Sequence, residues 1–144
     1  MKSIESETKR VIFARFFENE ELLETIAEVA RRNNINSGFF FLIGTLKEVV
    51  LGYYKDGKYL AIEKPGPLEI ASGLGNISIK DGSELVVHGH VVVSDLEGNA
   101  FGGHVLPGCL VDATVEFVLV EVERGILKRK LDARRNLFLW SIVR

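Results

Sequence analysis

The stretch Leu85-Val86-Val87-His88-Gly89-His90-Val91-Val92-Val93, then Ser94-Asp95-Leu96-Glu97-Gly98-Asn99, then Ala100-Phe101-Gly102-Gly103-His104-Val105-Leu106, holds all three histidines of the 144-residue chain. Two apolar runs rich in β-branched residues flank a short Asp/Gly/Asn-rich turn, which is the sequence form of a β-hairpin. Side chains alternate faces along a strand, so His88 and His90 share a face, about 6.6 Å apart along the strand. Whether His104 joins them depends on the parity of the loop. An odd loop, such as Leu96 to Gly98, puts His104 directly across from His90; an even loop puts it on the reverse face, because a one-residue slip flips every side chain.

With odd parity three imidazoles converge on one patch of sheet. Zinc takes nitrogen ligands, and three protein ligands with one open position form the catalytic pattern, whereas closed structural sites usually use four ligands, often thiolates. The chain has one cysteine, Cys109, so a thiolate-rich site is excluded. His88, His90 and His104 are therefore candidate ligands for zinc or another divalent transition metal. The competing reading is that the three are structural, packed near a subunit boundary.

The run LVVHGHVVVSDLEGNAFGGHVLPGCLVDATVEFVLVEV resembles the signature of the PPC domain family (plant and prokaryote conserved domain). The family's prokaryotic pattern is an H-x-H strand, a turn with D-x-x-G, a G-G-H and a strand containing T-x-E. His88, His90, Asp95, Gly98, Gly102, Gly103, His104, Thr114 and Glu116 supply it. Upstream, Gly66-Pro67-Leu68-Glu69-Ile70-Ala71-Ser72-Gly73-Leu74-Gly75-Asn76-Ile77-Ser78 is similar to the family's E-I-x-S-x-x-G-x-I-S element. The resemblance covers nearly the whole chain. It implies a homotrimer and a regulatory or DNA-associated role. Plant members join the domain to an AT-hook, a short R-G-R-P peptide, and this sequence contains no such motif. In those proteins the region matching Gly66 to Ala71 serves protein contact, and this chain departs from it at Pro67 and Leu68.

The length suits one domain, residues 1–144, with a sizeable core. Apolar residues make up 47% and charged residues 26%, which is ordinary for a soluble globular protein. The longest apolar runs, such as Phe39 to Ile43, are far too short to span a bilayer. The first residues are polar with no signal-peptide segment, so a cytoplasmic location is expected, and a single cysteine fits a reducing compartment. A net charge of -2 argues against non-specific nucleic-acid binding by the whole surface. The basic residues are uneven, however. Arg124, Lys128, Arg129, Lys130, Arg134, Arg135 and Arg144 crowd the last segment, either as a local DNA-facing patch or as solvated residues on an edge strand.

Thr8 to Phe16 reads as a first strand. Asn19 is placed to cap a helix, with Glu20 and Glu21 in its first turn. Leu22, Leu23, Ile26, Ala27, Val29 and Ala30 form the helix's apolar stripe. Ser37 to Gly44 reads as a strand covered on both faces, continued by Thr45 to Tyr54. Lys55-Asp56-Gly57-Lys58 is a turn, and Tyr59 to Glu63 pairs back. Pro65-Gly66-Pro67 should break the chain before a short strand from Leu68 to Leu74. Ile77 to Lys80 and Asp81-Gly82-Ser83 lead into the histidine hairpin, which Pro107-Gly108 ends. Ala113 to Glu123 alternates cleanly, with Glu116 among mainly apolar neighbours. A carboxylate there is costly unless paired or coordinating, which makes Glu116 a candidate catalytic residue. Arg124-Gly125 begins a turn, and Leu137 to Val143 is a last apolar strand. These elements predict an α+β domain: a largely antiparallel mixed sheet with one main helix packed on it. Apolar surface in excess of what one helix covers is expected between subunits.

Three functions follow. One is a metal-binding, regulatory or DNA-associated trimer. The second is a zinc-dependent enzyme in which Glu116 or Asp112 orients or deprotonates a water. The third leaves the histidines structural. The sequence contains no H-E-x-x-H, no nucleophile elbow and no phosphate-binding glycine loop. Gly102-Gly103 reads as a bulge or a close backbone approach. Cys109 reads as a buried thiol.

Overall fold

The computed structural model describes residues 1–80, 82–123 and 127–142. Asp81, the Arg124-Gly125 turn, the end of the last strand at Val143, and Arg144 lie outside the described residues. The element order is β1 (Glu7–Phe16), α1 (Leu22–Arg32), β2 (Gly38–Lys55), β3 (Lys58–Lys80), β4 (Glu84–Ser94), β5 (Ala100–Val105), β6 (Leu110–Glu123), β7 (Lys128–Asp132) and β8 (Leu137–Trp140).

The α+β expectation is corrected. Strands make up 67% of the structure and helix 8%, in a barrel-like antiparallel sheet. The strands run in the order β1-β6-β2-β5-β4-β3-β7-β8, and an additional β2–β3 pairing closes β2, β3, β4 and β5 into a ring. A sheet that closes on itself encloses its own core and needs no helical layer. Two long strands make this closure possible. β2 has 18 residues and β3 has 23. The break expected at Pro65-Gly66-Pro67 is absent, because β3 runs through it with a cis Gly66-Pro67 bond. Asp56 and Gly57, at φ 52° and 81°, make the two-residue turn that returns β2 into β3. Among the described residues, only β7 is parallel to its neighbour β3.

The helix lies where its apolar spacing predicts, burying Leu22, Ile26, Ala27 and Ala30. Its cap differs from expectation. Glu21, not Asn19, accepts from the backbone N–H of Glu24 at 2.7 Å, and its other oxygen accepts from Gly108 N–H at 3.0 Å. Asn19 sits at φ 69° and accepts from Lys47 Nζ at 2.8 Å. No helix of the described residues is long and apolar enough to cross a membrane.

Phe16 and Phe40 pack against Phe117 in the core with tilted rings, 5.2 and 5.5 Å between centroids. Phe40 and Leu42 on β2 are buried, but Phe39, Phe41 and Ile43 are 40, 50 and 56% exposed. The strand is therefore covered on one face within the chain, not on both. On β6 the alternation is as expected and the polarity of its faces is reversed for the carboxylates. Val115, Phe117, Leu119 and Glu121 face the core, and Glu116 is exposed.

Candidate metal centre

Two local features set the histidine hairpin. Asp95 closes its loop, accepting from the backbone N–H groups of Glu97 at 3.1 Å and Asn99 at 2.9 Å, with Gly98 at φ 80°. The loop is Asp95 to Asn99, between the paired Ser94 and Ala100, and its length is odd. His90 and His104 are consequently direct cross-strand partners. Val91 and Val93 point into the core, and His88 and His90 point away from it. Gly102 and Gly103 bring β5 close to its neighbours without a register shift: a Cβ on Gly102 would lie 2.5 Å from the carbonyl oxygen of Val91.

The three rings meet on the outer face of the sheet. Their centroids are 5.0 to 5.3 Å apart, and one ligating atom from each lies within 4.8 Å of the others. Tyr59 stacks on His104 at 4.5 Å and 15° between planes. Gly52, the β2 partner of His104, leaves room for that ring, since a Cβ there would lie 2.8 Å from Tyr59 Cδ1.

Arg129 reaches the cluster from β7. It is 8% exposed. Its Nε donates to Ser78 Oγ at 2.7 Å, Nη1 to the Phe138 carbonyl at 2.8 Å, and Nη2 to Asn76 Oδ1 at 2.9 Å. Nη2 also lies 3.2 Å from His88 Nδ1. A guanidinium can only donate, so Nδ1 is the acceptor and a neutral His88 carries its proton on Nε2. For Arg129 the basic-segment reading is corrected: it is a buried member of the site, whereas Lys128, Lys130, Arg134 and Arg135 are exposed.

Burial, then the nearby Arg129 charge and the other rings, pushes His88 down to about 4. Burial, then His90 and Arg129, does the same to His104, also to about 4. Both rings are neutral at physiological pH, the state in which imidazole ligates a metal. His104 Nδ1 is buried and has no hydrogen-bond partner. Such an orphaned atom is costly, and a bound cation would satisfy it. The three imidazole donors and the unpartnered His104 Nδ1 fit a divalent transition metal.

Glu116 stands apart from this group. It is exposed on β6, with Arg15 and Ile43 as cross-strand partners. Asp112 is also on β6. Neither lines the cleft beside the histidines, which is walled by Tyr59, Val87, His88, His104, Arg129 and Leu137, among others. Sequence reasoning missed Arg129, Tyr59, Asn76 and Ser78 as site residues. The E-I-x-S-x-x-G-x-I-S element did contain Asn76 and Ser78, but nothing local ties them to an arginine 53 and 51 residues later.

The model of the Plants and Prokaryotes Conserved (PCC) domain, also written PPC, matches residues 3–123. This chain belongs to the PCC-domain family. Among curated proteins this PCC domain is 33% identical over 120 residues to the bifunctional protein GlmU of Synechococcus sp. (strain JA-2-3B'a(2-13)), covering 82% of the chain and 18% of the relative. It thus spans less than a fifth of the length of the curated relatives it matches. Its structure is similar to that of the metal-containing protein AF0104 from Archaeoglobus fulgidus, with a TM-score of 0.89, 29% identity and coverage of 99% and 100% of the two chains. It is equally similar to a PPC protein of Pyrococcus horikoshii, with a TM-score of 0.89, 32% identity and coverage of 100% and 99%. A proposed DNA-binding protein from Ralstonia eutropha, at 23% identity, a TM-score of 0.81 and coverage of 91% and 90%, shares the fold alone.

Proposed function

We propose that this PCC-domain protein, one domain over residues 1–144, is a cytoplasmic homotrimer that binds a divalent transition metal, zinc first, through His88, His90 and His104. The observation that carries the reading is the convergence of three imidazoles from two paired strands, with ligating atoms within 4.8 Å of one another. The similarity to a protein named as metal-containing supports it. A zinc held by three histidines supplies Lewis-acid polarisation to a ligand in its open position. The chain's own contribution is to hold two of the rings neutral, to stack His104 against Tyr59 and to wall the centre with the β7–β8 hairpin.

Assembly is supported by an apolar row that continues into the site, and the number three is what the family resemblance implies. Phe13, Val118, Phe41, Leu74, His90 and His104 are successive cross-strand partners on β1, β6, β2, β3, β4 and β5. Phe13, Phe41 and Leu74 are 79, 50 and 53% exposed, and a contiguous exposed apolar patch marks an interaction surface. A DNA-associated role draws on the name of a relative that shares the fold alone. The enzymatic alternative needs an acid or base beside the metal, and the cleft lining contains no carboxylate among the described residues.

Elemental analysis of untagged protein tests the reading. Near-stoichiometric zinc or another transition metal, lost in His104→Asn, is the expected result. Metal-free protein that cannot be loaded, or equal loading of the variant, would overturn it.

A further inference from the structure

We propose that the cleft between the histidine cluster and the β7–β8 hairpin binds a small carboxylate with a compact apolar body, held by Arg129 beside the metal. The inference rests on the three-histidine metal reading and names a ligand class for that site.

Arg129 is buried at 8% exposure, yet its four hydrogen-bond partners are all neutral: Ser78, Asn76, the Phe138 carbonyl and His88. No carboxylate reaches it among the described residues. Buried charges are paired as a rule, because removal from water is costly. A metal ion would add two positive charges next to the one already there. The cleft lining offers tyrosine, histidine and apolar side chains but no acidic one. A ligand that carries negative charge would balance the site.

The geometry of donors agrees. A guanidinium has five N–H groups in a planar fork. One on Nη1 has no acceptor among the four bonds above. The one on Nη2 that faces His88 Nδ1, 3.2 Å away, is freed for another acceptor if a metal takes that lone pair, because zinc at about 2.0–2.1 Å from the nitrogen requires the guanidinium to move aside. Two N–H groups, one on each terminal nitrogen, match a carboxylate taken bidentate.

The remaining walls select against a bare inorganic anion. Val87, Leu137, Phe138 and Leu139 line the cleft, whose volume is about 220 Å³. At roughly 30 Å³ per water, that is the space of about seven waters, enough for a benzoate-sized acid. Arg129 and the hairpin that carries it lie beyond residue 123, where the match to the PCC family ends. This wall therefore lies outside the segment the family model describes, though within the span shared with the two archaeal structures.

Benzoate, acetate and inorganic phosphate are suitable probes. Protein stripped of metal is titrated with zinc against a competing chelator, with and without each anion. Benzoate is expected to tighten zinc binding about tenfold, and zinc to tighten benzoate by the same factor in calorimetry, as linkage requires. Acetate should act more weakly and phosphate least. Arg129→Met should abolish the coupling. Leu137→Trp, which fills the apolar wall and leaves Arg129 in place, should abolish the benzoate effect and spare that of acetate. Zinc binding that ignores benzoate would overturn the carboxylate site and leave the metal reading standing. Phosphate coupling stronger than that of benzoate would overturn the carboxylate assignment. Failure to bind zinc at all would overturn both.

Discussion

Arg129 donates from Nη2 to His88 Nδ1 across 3.2 Å, so a cation on β7 holds one of the two ring nitrogens that His88 on β4 could offer a metal. Second-shell partners of metal-binding histidines ordinarily accept from the ring and raise its basicity, and losing one costs 10–100-fold in affinity. Here the sign is opposite. Arg129→Met, in buffer without added carboxylate, should tighten zinc binding by about tenfold, the worth of roughly one hydrogen bond. Chelator competition measures this. Weaker binding would mean that Arg129 supports the metal.

Gly75 lies behind the site on β3, opposite Gly89. A Cβ at Gly75 would come within 2.2 Å of the His88 carbonyl oxygen and 2.3 Å of Phe40 Cζ. The backbone oxygen has no room to yield without breaking the β3–β4 ladder. Gly75→Ala should destabilise by about 1–3 kcal/mol through overpacking and lower metal occupancy with it. Chemical denaturation and elemental analysis of the same sample check both. Unchanged stability would show that β3 and β4 can part without loss.

Glu121 is buried at 7% exposure on the core face of β6. Burial by itself would raise its carboxyl, but hydrogen bonds from Arg10 and Lys9, with their charges, outweigh it and hold the group below the usual carboxylate range. A carboxyl depressed by folding binds a proton less readily in the native than in the unfolded state. Its stabilisation is full above the unfolded value of about 4.3 and is lost as pH falls through the lower folded value. Glu121→Gln should therefore cost about 1–2 kcal/mol near neutral pH, and the gap from the parent should close as pH falls below about 4. Urea unfolding at the two pH values measures it. A gap that persists in acid would mean that the loss is one of packing.

Cys109 is fully buried, with its sulfur 3.3 Å from the Val50 amide nitrogen and 3.3 Å from the Leu106 carbonyl oxygen. Burial pushes the thiol up to about 11. The reactive thiolate is then scarce near neutral pH. Iodoacetamide should label the native protein slowly and the unfolded protein promptly, as mass spectrometry reads it. Fast native labelling would show that the α1–β6 region opens readily.

Glu116 and Glu121 show where local reading stops. Both are on β6, and the two-residue alternation separates them correctly onto opposite faces. The apolar valines beside Glu116 suggest a buried carboxylate. The structure buries Glu121, because the face that includes Phe117 packs on Phe16 and Phe40. Which of two apolar faces becomes core is decided by strands elsewhere in the chain.

The first strand, the helix stripe from Leu22 to Ala30, the histidine hairpin and the shared face of His88 and His90 were determined by the sequence alone, because each depends on periodicity within a few residues. The tight turn at Asp56-Gly57 belongs with them, since it depends on the backbone freedom of its own two residues. Tertiary structure decided the rest. The closure of β2 to β5 into a ring, the odd loop that sets His104 opposite His90, and the arrival of Tyr59 and Arg129 at the histidines all depend on register between distant strands. No local preference encodes that register; it follows from which faces find partners when the sheet closes.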